Sequence, residues 1–181
     1  MTSKDPDIIA AVSDITKTNA KFRLKRGSYA QTLSMELQLG DVALYDFFLE
    51  AGLTPAKSKT LKVKNIPDEY FGDYLRGLFD GDGTIFGFRD KRWRSSYMFY
   101  TTFYSANKDF LIKLQADIAR LYGTGKGTLC AGARVFKLSY AKADSSKIFA
   151  AMYAAPESPR LTRKYDRFLA LLQQNPYAYN R

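Results

Sequence analysis

The sequence contains no histidine and a single cysteine, Cys130, in 181 residues. Without imidazole there is no His general base, no His-ligated metal and no ordinary catalytic zinc site. One thiol excludes an internal disulfide and a cysteine metal cluster, and Cys130 reads as a small buried residue. No apolar run approaches the length of a membrane span, and the residues from Met1 onward lack a signal-peptide pattern. The expected location is therefore the cytoplasm, the nucleoid or an organelle, and not the cell exterior. Acid is also scarce: 18 Asp and Glu stand against 28 Lys and Arg, a net charge of +10. That excess favours a polyanionic partner through counterion release. Hydrolytic chemistry must then rest on carboxylates, hydroxyls, Lys or Arg, and on hard metal ions bound through oxygen.

What is present is ordinary globular material: 46% hydrophobic and 25% charged residues, with an aromatic share of 15%. The length allows one domain or two small ones. The stretch that organises the chain runs from Tyr74 to Ile85. Pro67, Asp68 and Glu69 supply a helix start. Tyr70, Phe71, Tyr74, Leu75, Leu78 and Phe79 then form a stripe wide enough to be buried on two sides. Gly77 costs roughly 1 kcal/mol against Ala inside a helix, which calls for a reason such as close approach of a second helix. Gly81 and Gly83 end the helix, leaving Asp80 and Asp82 at its C-terminus, where the dipole disfavours negative charge. A bound cation would relieve that conflict. The string from Asp80 to Thr84 also fits the DxDGT opening of haloacid-dehalogenase phosphatases, but a helix-period segment precedes it and no later acidic pair follows. An EF-hand loop starting at Asp80 would need Gly at Ile85 and Glu at Lys91, so it fails as well.

Read in order, the chain begins with a helix from Asp5 to Thr16. A hairpin follows, Lys21 to Arg26 and Gln31 to Leu39 about Gly27-Ser28, and then an amphipathic helix from Asp41 to Ala51. A basic connector from Thr54 to Lys64 leads into the motif helix. Beyond it come a hairpin (Thr84 to Arg89, Ser95 to Tyr104), a helix from Lys108 to Tyr122 and a hairpin (Lys126 to Cys130, Arg134 to Ala141). Helices from Ala143 to Tyr153 and from Leu161 to Gln174 close the pattern.

Leu75 to Gly83 reads LRGLFDGDG, which resembles the signature of the LAGLIDADG homing endonucleases at six of nine positions, with Arg76, Phe79 and Gly81 as departures. The resemblance implies an α+β fold, an αββαββα core with a saddle-shaped antiparallel sheet whose concave face lies along DNA. Residues 65–175 would form that core and 176–181 a tail. Residues 1–64 read as a partial αββα repeat, spaced about 102 residues from its counterpart and lacking its own motif helix and first hairpin.

The same resemblance implies a site-specific, Mg2+-dependent endonuclease that cuts double-stranded DNA at a long target and is associated with homing of an intron or intein. Asp82 would be the catalytic acid and, with the Gly81 carbonyl, a metal ligand for two or more Mg2+ ions shared at a helix seam; Asp80 would serve the helix end. Lys164 is the candidate cation for developing charge. Tyr74, Gly77 and Leu78 would meet a second motif helix in a homodimer or from a partner chain. Alternation from the motif places Thr84, Phe86 and Phe88 on the DNA face, with Arg94, Ser96, Met98, Tyr100 and Thr102 opposite them. Arg134 and Lys137 are candidates on the last hairpin, and Arg89, Lys91, Arg92 and Arg94 are candidates for phosphates. The competing expectation is a non-cleaving DNA- or RNA-binding protein on the same fold, an intron maturase or a transcriptional regulator.

Overall fold

The computed structural model describes residues 1–17, 20–26, 33–51, 66–89, 91 and 97–174. Two antiparallel sheets organise them. The smaller holds β1 (Thr2–Ser3), β2 (Ala20–Arg26) and β3 (Leu33–Leu39) in the order β1-β3-β2. The larger holds β4 (Thr84–Arg89), β5 (Tyr97–Ser105), β6 (Thr128–Ala131) and β7 (Phe136–Ala141) in the order β4-β5-β7-β6. Helices α1 (Pro6–Thr16) and α2 (Val42–Glu50) belong to the N-terminal part; α3 (Phe71–Asp82), α4 (Lys108–Tyr122), α5 (Lys142–Met152) and α6 (Thr162–Gln173) pack on one face of the larger sheet. From α3 onward the order is αββαββα with a final helix, as expected from the sequence. The element order β1-α1-β2-β3-α2 parallels β5-α4-β6-β7-α5, with β1 pairing β3 as β5 pairs β7. The tiny β1 was not foreseen.

The core forms on one face of the larger sheet. Strict alternation on β5 sends Phe99, Thr101 and Phe103 inward, where they meet Leu75 and Phe79 of α3, Leu111 and Leu114 of α4, Ile148 of α5 and Phe168 of α6. Leu138 and Tyr140 of β7 complete the layer. Local signals set the boundaries: Asn107 accepts from the Asp109 and Phe110 N–H groups to start α4, and Gly123 at φ 59° ends it. The N-terminal part buries far less. Leu37 and Ile9 are buried, and Leu44, Phe48 and Leu49 of the expected apolar face of α2 are half-buried while Val42 and Tyr45 are exposed, so that face is only partly covered among the described residues. The expected turn at Gly27-Ser28, the connector from Thr54 to Lys64 and the tail 176–181 lie outside the described residues.

The tight crossing of the motif helix falls at Gly72, where a Cβ would stand 2.6 Å from the Ala151 carbonyl oxygen of α5. The neighbour is backbone and cannot give way. Gly72→Ala should cost about 1–3 kcal/mol despite the better helix propensity of alanine, read as a lower midpoint in urea.

Candidate functional site

The end of α3 is held by a reciprocal clamp with the start of α6. The Asp80 carboxylate accepts from the Leu161 N–H at 3.0 Å and from the Tyr153 hydroxyl at 3.4 Å. In return the Lys164 ammonium donates to the carbonyl oxygens of Phe79 (2.6 Å), Asp80 (2.9 Å) and Gly83 (2.6 Å). All three of its protons are thereby used. The expectation of Lys164 as a cation available to developing charge is corrected accordingly: the side chain is buried and caps a helix. Gly83 closes the turn, because a Cβ there would lie 2.7 Å from Phe79 atoms. Burial pushes the Asp80 carboxyl up from its ordinary value, against the opposing pull of the Leu161 N–H, the Lys164 charge and the Tyr153 hydroxyl. Burial also pushes Lys164 down, with the Asp80 charge opposing.

Asp82, two residues on, is exposed. With Asp80 turned inward, Asp82 is the acid of the pair that faces solvent, and Lys164 does not cap the Gly81 carbonyl beside it. Gly77, Gly81 and Asp82 form one wall of a groove whose other wall is Met1 to Ser3 with Ile8, Val12 and Ile15 of α1. Among the described residues a Cβ at Gly77 or Gly81 would meet nothing within 4 Å, so the helix contact expected at Gly77 is not made by them. Tyr74 and Leu78 are half-buried and pack on the core edge. Arg76, a departure from the signature, is buried and donates to the Met152 carbonyl at 2.8 Å while pairing with Asp73 at 2.6 Å. Arg163 binds Asp5 through two nitrogens at 2.8 and 2.9 Å, and Asp7 accepts from the Thr162 N–H at 3.2 Å. These contacts tie the N-terminal part to the start of α6.

The outer face of the larger sheet has a graded composition. The rows run Phe88–Met98, then Phe86–Tyr100–Ala141, then Thr84–Thr102–Ser139–Thr128, then Tyr104–Lys137–Cys130. Thr84, Phe86 and Lys137 are exposed and Tyr100 is half-buried. Thr102 is a correction: it is 1% exposed and its hydroxyl bonds Ser139 at 2.9 Å, so it is not a free reader of a ligand. Cys130 is half-buried on this face and not in the core. Arg89 and Lys91 are exposed near the hairpin tip, and Arg134 is exposed in the turn between β6 and β7. Arg92, Arg94 and Ser96 lie outside the described residues. Sequence reasoning missed Tyr104, whose hydroxyl lies 3.2 Å from that of Thr84; its even register with Tyr100 was the available signal.

Among the described residues no group of three or more Asp, Glu or Cys side chains could hold a metal ion. The donors that fit one are the Asp82 carboxylate and the Gly81 carbonyl, both oxygens suited to a hard cation and too few to hold it unaided. Nor is any helix among the described residues long and apolar enough to cross a membrane.

No family model matches the sequence. No curated protein matches it either. Solved structures do. The LAGLIDADG meganuclease I-AabMI, bound to uncleaved DNA, is similar with a TM-score of 0.63 at 12% identity, over 96% of this chain and 78% of that one. The homing endonuclease I-CvuI, in complex with its target, gives a TM-score of 0.43 at 17% identity over 59% of this chain; the match spans 66% of the I-CvuI chain, just under two thirds. The homing endonuclease I-TnaI gives 0.42 at 14% identity. The likeness to I-AabMI over nearly the whole chain, with the acid-terminated helix set over an antiparallel sheet, defines the class as an α+β helix–hairpin protein. More narrowly, the chain has the fold of the LAGLIDADG homing endonucleases.

Two outcomes test the clamp. Lys164→Met leaves the Phe79, Asp80 and Gly83 carbonyls without their donor and should cost about 2–4 kcal/mol in chemical denaturation. Because the folded Asp80 binds its proton more tightly than the ordinary value of 3.8, stability should fall as pH rises from 3.8 through the raised value. Asp80→Asn should lack that part of the slope in melts across the same range.

Proposed function

We propose that this protein is a divalent-metal-dependent, site-specific double-stranded DNA endonuclease of the LAGLIDADG type. The carrying observation is the division of labour between the two motif acids: Asp80 is consumed by the clamp, whereas Asp82 is left exposed at the rim of an open groove. Asp82 and the Gly81 carbonyl would hold Mg2+ together with substrate phosphates, and the ion would supply an activated water and charge neutralisation at the departing 3′ oxygen. Lys164 acts at one remove, fixing the turn on which Asp82 sits. The open face at Gly77 and Gly81 supports a second motif helix there, bringing a second acid to the same place; a second copy of this chain, or a partner chain, is its source. We read residues 1–64 as the partial repeat that walls the other side of this groove. The outer face of the larger sheet offers Thr84, Phe86, Tyr100 and Lys137 to a major groove, with Arg89, Lys91 and Arg134 on phosphates.

The non-cleaving alternative needs no exposed acid at the groove, and the geometry of Asp82 favours cleavage. A selection from a library of long randomised duplexes in Mg2+ should recover bound and cut sites. Asp82→Asn should bind the selected duplex with affinity within about threefold of the parent and lower the cleavage rate by at least about a thousandfold. Cleavage that survives this substitution overturns the assignment, and specific binding without cuts by the parent protein favours the alternative.

A further inference from the structure

Phe86, Phe88 and Tyr100 form a cluster on the outer sheet face that neither the core nor the acid site uses. Phe86 is 50% exposed and Phe88 44% exposed. Their rings are nearly parallel: Phe86 and Tyr100 at 5.6 Å and 18°, Phe88 and Tyr100 at 6.2 Å and 7°, Phe86 and Phe88 at 6.3 Å and 13°. Inserting a base between two rings needs about 7 Å, two stacking distances, so no pair of these rings can admit one. The cluster is unsuited to gripping splayed single-stranded bases between its rings. It offers instead a compact apolar ledge, continued by Met98, beside the hydroxyls of Thr84, Thr102 and Ser139 and the ammonium of Lys137. A single exposed Phe needs no explanation, but three aligned rings in one patch do.

Given the duplex-binding reading above, on which this inference rests, we propose that the ledge receives the C5-methyl groups of thymines, selecting A·T pairs by apolar contact. In the major groove the methyl is the one apolar feature that distinguishes a base, and Phe is among the side chains that meet it. The spacing agrees: β-strand rise is about 3.3 Å per residue and duplex rise about 3.4 Å per base pair. Phe86 and Phe88 lie two and four residues beyond Thr84 along β4. Their thymines therefore fall about two and four base pairs farther from the cleavage centre than the pair that Thr84 meets. Arg89, exposed immediately after Phe88, is suited to a flanking phosphate.

The test uses the full chain with Ca2+ in place of Mg2+ and the duplex recovered by selection. Deoxyuridine replaces thymidine one position at a time, removing only the methyl. The expected result is a preference for A·T pairs about two and four steps out, with about fourfold weaker binding for each contacted methyl removed and no effect at other thymines. Phe86→Ala/Phe88→Ala should erase the difference between thymidine and deoxyuridine, its affinity for the thymidine duplex falling to about that of the parent for the doubly substituted deoxyuridine duplex. Specific binding that is indifferent to deoxyuridine everywhere overturns this inference and leaves the endonuclease reading standing. A methyl effect that persists unchanged in the double variant also overturns it. Failure to bind any duplex removes both. The deoxyuridine arm needs no variant, so a folding defect in the double substitution cannot mask the answer.

Discussion

The motif helix ends in an electrostatic conflict, and the fold is built around its resolution. Carbonyl dipoles and two carboxylates converge at the C-terminus of α3, where negative charge is unfavourable. The chain answers with the beginning of another helix. Lys164 reaches back to three carbonyls, and Asp80 receives the Leu161 N–H from the positive end of α6. Each helix caps the other, so neither terminus is stable in that position alone. Asp82 thereby acquires a fixed origin without being spent on the fixing.

The exchange also accounts for the burial of charge. Lys164 and Asp80 are both removed from solvent, a costly step that only complete hydrogen bonding makes tolerable. Both have ordinary titration behaviour shifted toward their neutral forms by burial, with their mutual attraction opposing that shift. Arg76 extends the same logic on the next turn, with its guanidinium shared between Asp73 and the Met152 carbonyl. Three charged side chains therefore hold one helix to its neighbours, and the aromatic core beneath supplies the apolar burial.

Much of this was legible in the sequence. The α3 stripe and the period-two alternation from Phe99 to Phe103 are local patterns, and local patterns survive tertiary context. The inward face of β5 followed from parity alone. Long-range partnerships were not legible. Nothing in the string relates Asp80 to Leu161 or Arg163 to Asp5, since these pairs meet only after the sheet has brought the helices together. Lys164 was therefore expected to be a cation available to developing charge, when its role is to satisfy backbone. Thr102 was expected on an accessible face, and it does point that way, but its place on a central strand lets Ser139 and its neighbours close over it. Gly72 was passed over because the glycine inside the signature drew the explanation, whereas the crowded crossing lies a turn and a half earlier.

The Asp5–Arg163 fork and the Asp7–Thr162 contact join the amino-terminal segment to the same turn that carries Lys164. Among the described residues these contacts form a short lever: a displacement of α1 pulls on the first turn of α6, and that turn carries the ammonium that sets the carbonyls beneath Asp82. The part of the molecule with the thinnest core is thus mechanically in series with its most demanding geometry.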